Sequence, residues 1–350
     1  MLLKMPSYCK SFRCIADKCG DNCCIGWEID IDTSTAEYYK SVSGAFGERL
    51  KDNITKDDAP SFILCGERCP FLNKQNLCDI IINLGEDKLC QICRDHPRYF
   101  EWFNEIKEGG IGLCCEEAAR IIVRNKEKFS TYETDCDDTG CDDYEEKLYD
   151  MLTFARDEII NALENETISL KERISRVVGY AFEIQFMMDN YQFDKTSINT
   201  SYPAEETNCD IKGFLTSFTD LEPIDDNWSE YLKSLIDSSE DLKSISIDNE
   251  EIDLYLKNIA VYFIWRYFLK GIYDEEILSK VLLTIISVAM IKLMYKKAVL
   301  DGETLDAEKC SMLAKNYSKE IEYSEENLES VCNMVYEIPA FAKDNILSII

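Results

Sequence analysis

Cys14-Ile15-Ala16-Asp17-Lys18-Cys19-Gly20-Asp21-Asn22-Cys23-Cys24-Ile25-Gly26-Trp27 sets four thiols within one short polar segment, with Cys9 just upstream. Downstream come Cys69-x8-Cys78, Cys90-x2-Cys93 and the pair Cys114-Cys115. A thiolate is soft and anionic, and a tetrahedral site needs four of them at about 2.3 Å from the metal. Irregular chain suits that task, because no regular element wraps an ion by itself. Adjacent cysteines such as Cys23-Cys24 rarely serve one zinc, so they point to a larger cluster or to neighbouring sites.

The rest of the cysteine inventory agrees. The chain has 17 cysteines: twelve by residue 115, then Cys136 and Cys141, and three more beyond. Met1-Leu2-Leu3-Lys4-Met5-Pro6 lacks a sustained apolar run, which predicts no secretory signal and a reducing, cytoplasmic setting. Clustered thiols there serve metal or redox chemistry. His96 is the single histidine. Zinc patterns that need two histidines are disfavoured, leaving all-thiolate ligation, either iron–sulfur or zinc held by four cysteines. The Cys-x3-Cys-x2-Cys pattern of radical enzymes fails, since Gly26 stands where the third cysteine belongs.

Length and charge bound the remainder. A chain of 350 residues with 46% hydrophobic content builds two or three domains with real cores. A formal charge of −29 opposes phosphate backbones, so no nucleic-acid partner is expected. Val281 to Ile291 is the most apolar stretch, about half a membrane span, and reads as a buried core helix with no membrane role.

The organisation expected is mainly α with a small β-hairpin: an irregular cysteine-rich metal-binding domain over 1–132, an acidic loop over 133–146, and an all-α region over 147–350 packed against the first. Thr33-Ser34 reads as an N-cap pair. Tyr99–Phe103 and Ile111–Leu113 flank Lys107-Glu108-Gly109-Gly110, which reads as a hairpin turn. From Cys115 a helix opens with acids in its first turn. Leu148, Met151, Leu152, Ala155, Ile159 and Leu163 recur at helical spacing, and Ser169-Leu170-Lys171-Glu172 is a capping box. Further helices are expected from about 250 to 269, stopped by Gly271, and from about 274 to 297. Gly109-Gly110-Ile111-Gly112 lacks the spacing and context of a dinucleotide fingerprint.

These blocks carry a resemblance. Phe12-Arg13-Cys14-Ile15 through Cys19, Cys23-Cys24-Ile25-Gly26-Trp27, Cys69-Pro70-Phe71-Leu72, Leu77-Cys78, Leu84-Gly85, Cys93-Arg94-Asp95-His96-Pro97-Arg98 and Cys115-Glu116-Glu117-Ala118-Ala119-Arg120 resemble the flagellin lysine-N-methylase family. That family is related to cysteine-cluster domains assigned to iron or zinc chelation. The resemblance covers about residues 6 to 125. The helical remainder is similar in character, with Tyr262-Phe263-Ile264-Trp265-Arg266-Tyr267-Phe268 as its nearest segment.

The resemblance implies methyl transfer from S-adenosylmethionine to flagellin lysines, with a [4Fe–4S] cluster involved and zinc as the alternative metal. The matching cysteines are Cys14, Cys19, Cys23, Cys24, Cys69, Cys78, Cys93 and Cys115, more than one cluster needs. Cys9, Cys65, Cys90, Cys114, Cys136 and Cys141 lie outside the motif. Methyl transfer to an amine also needs cation-friendly walls, and Trp27, Tyr99, Phe100 and Trp102 are candidates against a reading as core packing. Arg98 and Arg120 are candidates to grip the cofactor carboxylate, against structural salt bridges, and Glu117 is a candidate base. A noncatalytic metal scaffold and a redox protein are the alternative functions.

Overall fold

The computed structural model describes residues 1–26, 28–103, 105–138, 145–198, 209–338 and 341–350. The chain forms two compact units. The thiol unit comprises Phe12–Tyr99 and Cys115–Glu117. The helical unit comprises Met1–Ser11, Phe100–Cys114 and Ala118–Ile350.

The thiol unit is short helices joined by irregular chain: α1 (Thr33–Ser41), α2 (Gly44–Asp52), α3 (Asp79–Leu84) and α4 (Gln91–Asp95). Its core gathers Ile29, Tyr39, Leu50, Phe62, Phe71 and Ile80, with the Phe62 and Phe71 rings edge-on at 5.0 Å. The α1 cap is Asp32, one residue ahead of the expected Thr33-Ser34. Its carboxylate accepts from Thr35 N (2.9 Å), Ser34 Oγ (2.7 Å) and, across the fold, Gln91 N (2.9 Å). Three donors on one carboxylate outcompete a hydroxyl cap.

The expected hairpin is part of a larger sheet. β1 (Leu2–Pro6), β2 (Arg98–Phe103), β3 (Ile106–Ile111) and β4 (Thr131–Asp135) form a four-stranded sheet in the order β2-β3-β1-β4. β1 runs parallel to β3, with Leu2 opposite Ile106, and antiparallel to β4, with Leu2 opposite Asp135. The turn precedes Ile106, and Lys107–Gly110 lies inside β3. Gly109 is buried there, and its carbonyl accepts from Trp265 Nε1 at 3.0 Å. Its lack of a side chain serves this close approach rather than a turn. Glu133–Asp135 is likewise strand, not loop, while 139–144 lie outside the described residues.

The divisions expected at 132 and 147 therefore differ from the compact units. β1, the hairpin and β4 pair in one sheet, and that sheet shares a unit with the helices. Pairing between distant strands decides this, and local composition does not carry it.

α5 (Glu116–Val123) starts where the acidic first turn placed it. α6 (Glu146–Leu163) buries Leu148, Met151, Leu152, Ala155, Ile159 and Leu163, the stripe read from periodicity. α7 (Leu170–Asp189) is capped by Ser169, whose side chain accepts from Glu172 N. The short α8 (Ile211–Thr216), α9 (Trp228–Asp237) and α10 (Ser239–Ser244) follow, then α11 (Glu250–Tyr267) and α12 (Gly271–Asp274). Gly271 opens α12 rather than closing α11, which ends at Tyr267, and a Cβ at Gly271 would sit 2.4 Å from Ile277 Cδ1.

α13 (Ile277–Leu300) is the centre of the helical unit, flanked by α7, α11, α14 (Ala307–Glu322), α15 (Glu325–Glu337) and α16 (Lys343–Ile349). It is long and apolar enough to cross a bilayer, yet its most apolar window is 89% buried within the protein. Being apolar all round, it takes neighbours on every side. A buried ion pair fixes β3 to the helices. Arg156 Nη1 and Nη2 donate to Glu108 Oε2 (2.5 Å) and Oε1 (2.7 Å), and the guanidinium lies 4.1 Å from the Trp265 ring.

Candidate functional site

Ten cysteines fall in the thiol unit: Cys14, Cys19, Cys23, Cys24, Cys65, Cys69, Cys78, Cys90, Cys93 and Cys115. All eight that match the family pattern are among them. Cys9, Cys114 and Cys136 belong to the helical unit, and Cys141 lies outside the described residues.

The loop carrying Cys14 to Cys24 is shaped by its own polar groups. Asn22 Oδ1 accepts from Cys24 N at 2.9 Å, and Asn22 O accepts from Ile25 N at 3.1 Å. Gly26 holds φ +90°, a left-handed value that side-chain-bearing residues avoid, and donates its N–H to Glu67 O at 2.8 Å. Cys69 N then donates to Cys24 O at 2.9 Å, so the two cysteine segments are stitched together through backbone. The Arg68 side chain ties the following turn, donating to Leu72 O, Asn73 O and Asn76 Oδ1. That turn returns Cys78 opposite Leu72.

Two thiol neighbourhoods result. Cys69 and Cys90 are core residues of the thiol unit, and Cys24, Cys78 and Cys93 pack against that same core. Cys69 lies close enough to Cys24 and Cys78 for their charges to register, as does Cys93 to Cys90, Cys24 and Cys69. The other neighbourhood centres on Glu116. This buried carboxylate accepts from Gly20 N (2.7 Å), Asp21 N (3.3 Å) and Cys19 Sγ (3.4 Å). Cys115 precedes it and acts electrostatically on Cys19 and Cys23, and Cys14 acts on Cys23. Cys23 and Cys24 hydrogen-bond one another where the neighbourhoods meet.

Cys19, Cys23, Cys69, Cys78 and Cys93 are held in the protonated form. Burial pushes Cys19 and Cys69 up to about 12, and it raises Cys78. Within each hydrogen-bonded pair one thiol ionises first. The bond from Cys23 lowers Cys24, and the bond from Cys93 lowers Cys90, while each donor is raised. Among the described residues no group of three or more His, Cys, Asp or Glu side chains is arranged to hold a metal ion. The donors themselves are chemically suited to iron or zinc: clustered soft thiols with nitrogen ligands nearly absent.

An open cleft of about 500 Å³ lies along Gln91 and Ile92, between Cys90 and Cys93 in sequence. Asp30, Asp32, Asp95, His96 and Arg98 line it. Burial lowers His96 to about 4, so the imidazole is neutral near pH 7. Arg98, a candidate for the cofactor carboxylate, faces this cleft and lies 5.3 Å from the Phe12 ring.

Other candidates are placed differently. Arg120 donates to both Glu308 oxygens, through Nε at 3.0 Å to each and through Nη2 at 2.7 Å, and Arg124 joins the same carboxylate. Arg120 is thus a structural ion pair within the helical unit. Phe100 and Trp102 do surround a cation, but it is the chain's own Lys107, with Nζ 4.2 and 4.7 Å from the two rings. Asp138 accepts from both Lys107 Nζ and Trp102 Nε1. Glu117 is half-buried on the first turn of α5, and its neighbour Glu116 makes the contacts to the thiol loop. Trp27 lies outside the described residues. Reading the sequence for catalytic carboxylates missed Glu116; its place directly after Cys115 was the available signal.

A mainly helical protein with a separate loop-built, thiol-rich unit is the class these features define. A family model of the FliB lysine N-methylase C-terminal domain matches residues 156–349, and the chain belongs to that family. The matched region is the helical part, where the sequence resemblance was only one of character. The chain is 27% identical over 131 residues to the flagellar biosynthetic protein FliU of Salmonella muenchen, covering 34% of this chain and 76% of that protein. It is 26% and 24% identical to the lysine-N-methylases of Salmonella choleraesuis and Salmonella typhimurium, over 37% of this chain in each case. The matches span 34% of each of those two enzymes. No solved structure matches.

Proposed function

We propose that this chain is an S-adenosylmethionine-dependent lysine N-methyltransferase acting on flagellin in the cytoplasm, with an iron–sulfur cluster held by cysteines of the thiol unit. The family match over residues 156–349 carries the reading. The flagellar and lysine-methylase names of the relatives support it. A reducing compartment keeps the ten thiols of the unit available.

The bond made in this reaction joins lysine Nζ to the methyl carbon, and the bond broken is that carbon's bond to the sulfonium sulfur. The amine must attack as the neutral base, so a proton leaves Nζ. S-Adenosylmethionine, when bound, supplies the activated methyl group. The cleft beside α4 supplies the carboxylates of Asp30, Asp32 and Asp95, which favour a cation. Four from among Cys14, Cys19, Cys23, Cys24, Cys69, Cys78, Cys93 and Cys115 would hold the cluster, giving up thiol protons as they do so. Glu116 orders the loop on which Cys19 stands.

Anaerobically prepared protein is incubated with S-adenosylmethionine and unmodified flagellin, and the lysines are read by mass spectrometry. One or more added methyl groups is the expected result. Cofactor binding without any lysine modification refutes flagellin as acceptor. Absence of cofactor binding refutes methyl transfer and favours a metal-bearing scaffold, a reading to which five thiols packed on one core lend themselves.

A further inference from the structure

We propose that Phe100, Trp102 and Asp138 form a binding cage for a methylated lysine of a polypeptide, and that Lys107 fills this cage as an internal plug until such a lysine displaces it. The ligand class rests on the lysine-methylase reading above. The cage itself rests on distances within the helical unit.

Strand alternation builds it. Phe103 and Glu108 turn toward the helices, where the Phe103 ring lies 5.8 Å from that of Tyr149 on α6 and Glu108 binds Arg156. Their neighbours Trp102 and Lys107 therefore turn to the opposite face, and Phe100, two residues before Trp102, shares it. Lys107 Nζ lies 4.2 Å from the centre of the Phe100 ring and 4.7 Å from that of Trp102. Asp138 Oδ2 closes a third side, accepting from Lys107 Nζ at 2.8 Å and from Trp102 Nε1 at 3.0 Å. It thus fixes the indole as well as the charge. A lysine over one ring is an ordinary cross-strand contact. Here a second ring converges on the same nitrogen, and so does a carboxylate that follows β4, at the far edge of the sheet from β2. The Lys107 side chain keeps 15% of its surface exposed and that of Asp138 keeps 36%, so the cage is reached from solvent.

The walls set the ligand. Ring faces attract an ammonium and accept its methyl groups, whereas a carboxylate is best satisfied by an N–H. Two rings and one acceptor match a dimethylated ammonium, with a methyl group against each ring and its one N–H on Asp138. Unmodified lysine turns N–H groups toward the rings, and trimethyllysine leaves Asp138 with Trp102 as its donor. Lys107 carries the unmodified ammonium and holds the cage because it is tethered there. Displacement keeps the site neutral, since one cation replaces another beside Asp138.

The full chain is titrated by calorimetry with a short neutral peptide carrying unmodified, dimethyl or trimethyl lysine, as wild type, Lys107→Ala, and Lys107→Ala with Trp102→Ala. Lys107→Ala is expected to bind the dimethyllysine peptide about tenfold or more tighter than wild type does, and tighter than it binds the other two peptides. The double variant is expected to lose that gain. Failure of Lys107→Ala to bind dimethyllysine, equal binding of the three peptides, or binding that survives Trp102→Ala overturns the proposal. A second measurement uses wild type alone, so that misfolding of a variant cannot decide the matter. Acetylation of the Lys107 amine by acetic anhydride, read by mass spectrometry, is expected to speed up when millimolar dimethyllysine peptide is present. An unchanged rate overturns displacement of the plug and the proposal with it. Neither measurement needs S-adenosylmethionine or metal. A chain that gives both expected results yet methylates no lysine refutes the enzyme reading alone, and a chain that methylates lysine but gives neither refutes the cage alone.

Discussion

Glu116 shows how one carboxylate can organise a loop that has no regular structure of its own. It is buried and accepts two backbone N–H groups and a thiol from residues nearly a hundred positions away. Replacing it with Ala removes the one oxygen, Oε2, that accepts all three bonds and leaves the donors of Gly20 and Asp21 without that partner. Hydrogen bonds to a charged group contribute about 1.5–3 kcal/mol each, and a comparable total loss is expected here because water reaches part of the site. Urea unfolding of Glu116→Ala against wild type measures it, and Glu116→Gln, which keeps two acceptor lone pairs, is expected to recover most of the loss.

His96 makes a second prediction at the same scale. Burial holds its folded pKa at about 4, below the unfolded value of about 6.5. The unfolded chain therefore binds a proton that the folded chain refuses between those limits. The neutral imidazole's contribution is complete above pH 6.5 and is lost as pH falls toward 4, by about 3 kcal/mol in all. Asp30, Asp32, Asp95 and Arg98 face it from the same cleft. The difference between wild type and His96→Gln across pH 4 to 7 isolates the histidine. A flat difference refutes the assignment. The cysteine blocks that fold together were legible from spacing, but their grouping was not. The backbone bond from Cys69 N to Cys24 O, which joins two of these blocks, is a long-range contact that spacing does not encode.

Among the elements, β3 depends most on partners remote in sequence. Glu108 is buried on it, and Arg156 of α6 neutralises it with two hydrogen bonds while stacking near Trp265 of α11. Desolvation works against the Arg156 charge, and Glu108 more than restores it, since the guanidinium is held above its ordinary range. Removing one partner leaves the other charge buried and uncompensated, which costs about 3–5 kcal/mol. Glu108→Ala is expected to lose that much in denaturant unfolding, whereas Glu108→Ala with Arg156→Met is expected to lose less. A double-variant loss equal to the sum of the Glu108→Ala and Arg156→Met losses would mean the pair is not coupled. Helices α6 and α7 were legible because their apolar stripes and the Ser169 cap are local signals. The sheet was not, because Leu2 meets Ile106 and Asp135 only through long-range pairing. Gly109 and Gly110 carried the signature of a turn while serving a close backbone approach to Trp265.

At the scale of the whole molecule, the two units draw on different sources of stability. The helical unit has α13 buried on all sides and an extensive apolar core around it. The thiol unit has short helices, isolated bridges and a small core, and a unit of that size gains much from a metal. Thiolate-bound metal in small domains contributes about 10 kcal/mol or more of folding free energy, because the unfolded chain has no preformed site. Chelation under reducing conditions is therefore expected to speed amide hydrogen exchange throughout 12–99 by at least tenfold. α7, α11 and α13 are expected to keep their protection, since no cysteine lies in them. Hydrogen exchange with mass spectrometry on the full chain, before and after chelation, reads both regions in one experiment. Equal loss of protection in α13 would show that the two units fold as one cooperative body. Unchanged protection in 12–99, with the metal demonstrably gone, would show that the hydrophobic core around Phe62 and Phe71 holds the thiol unit without it.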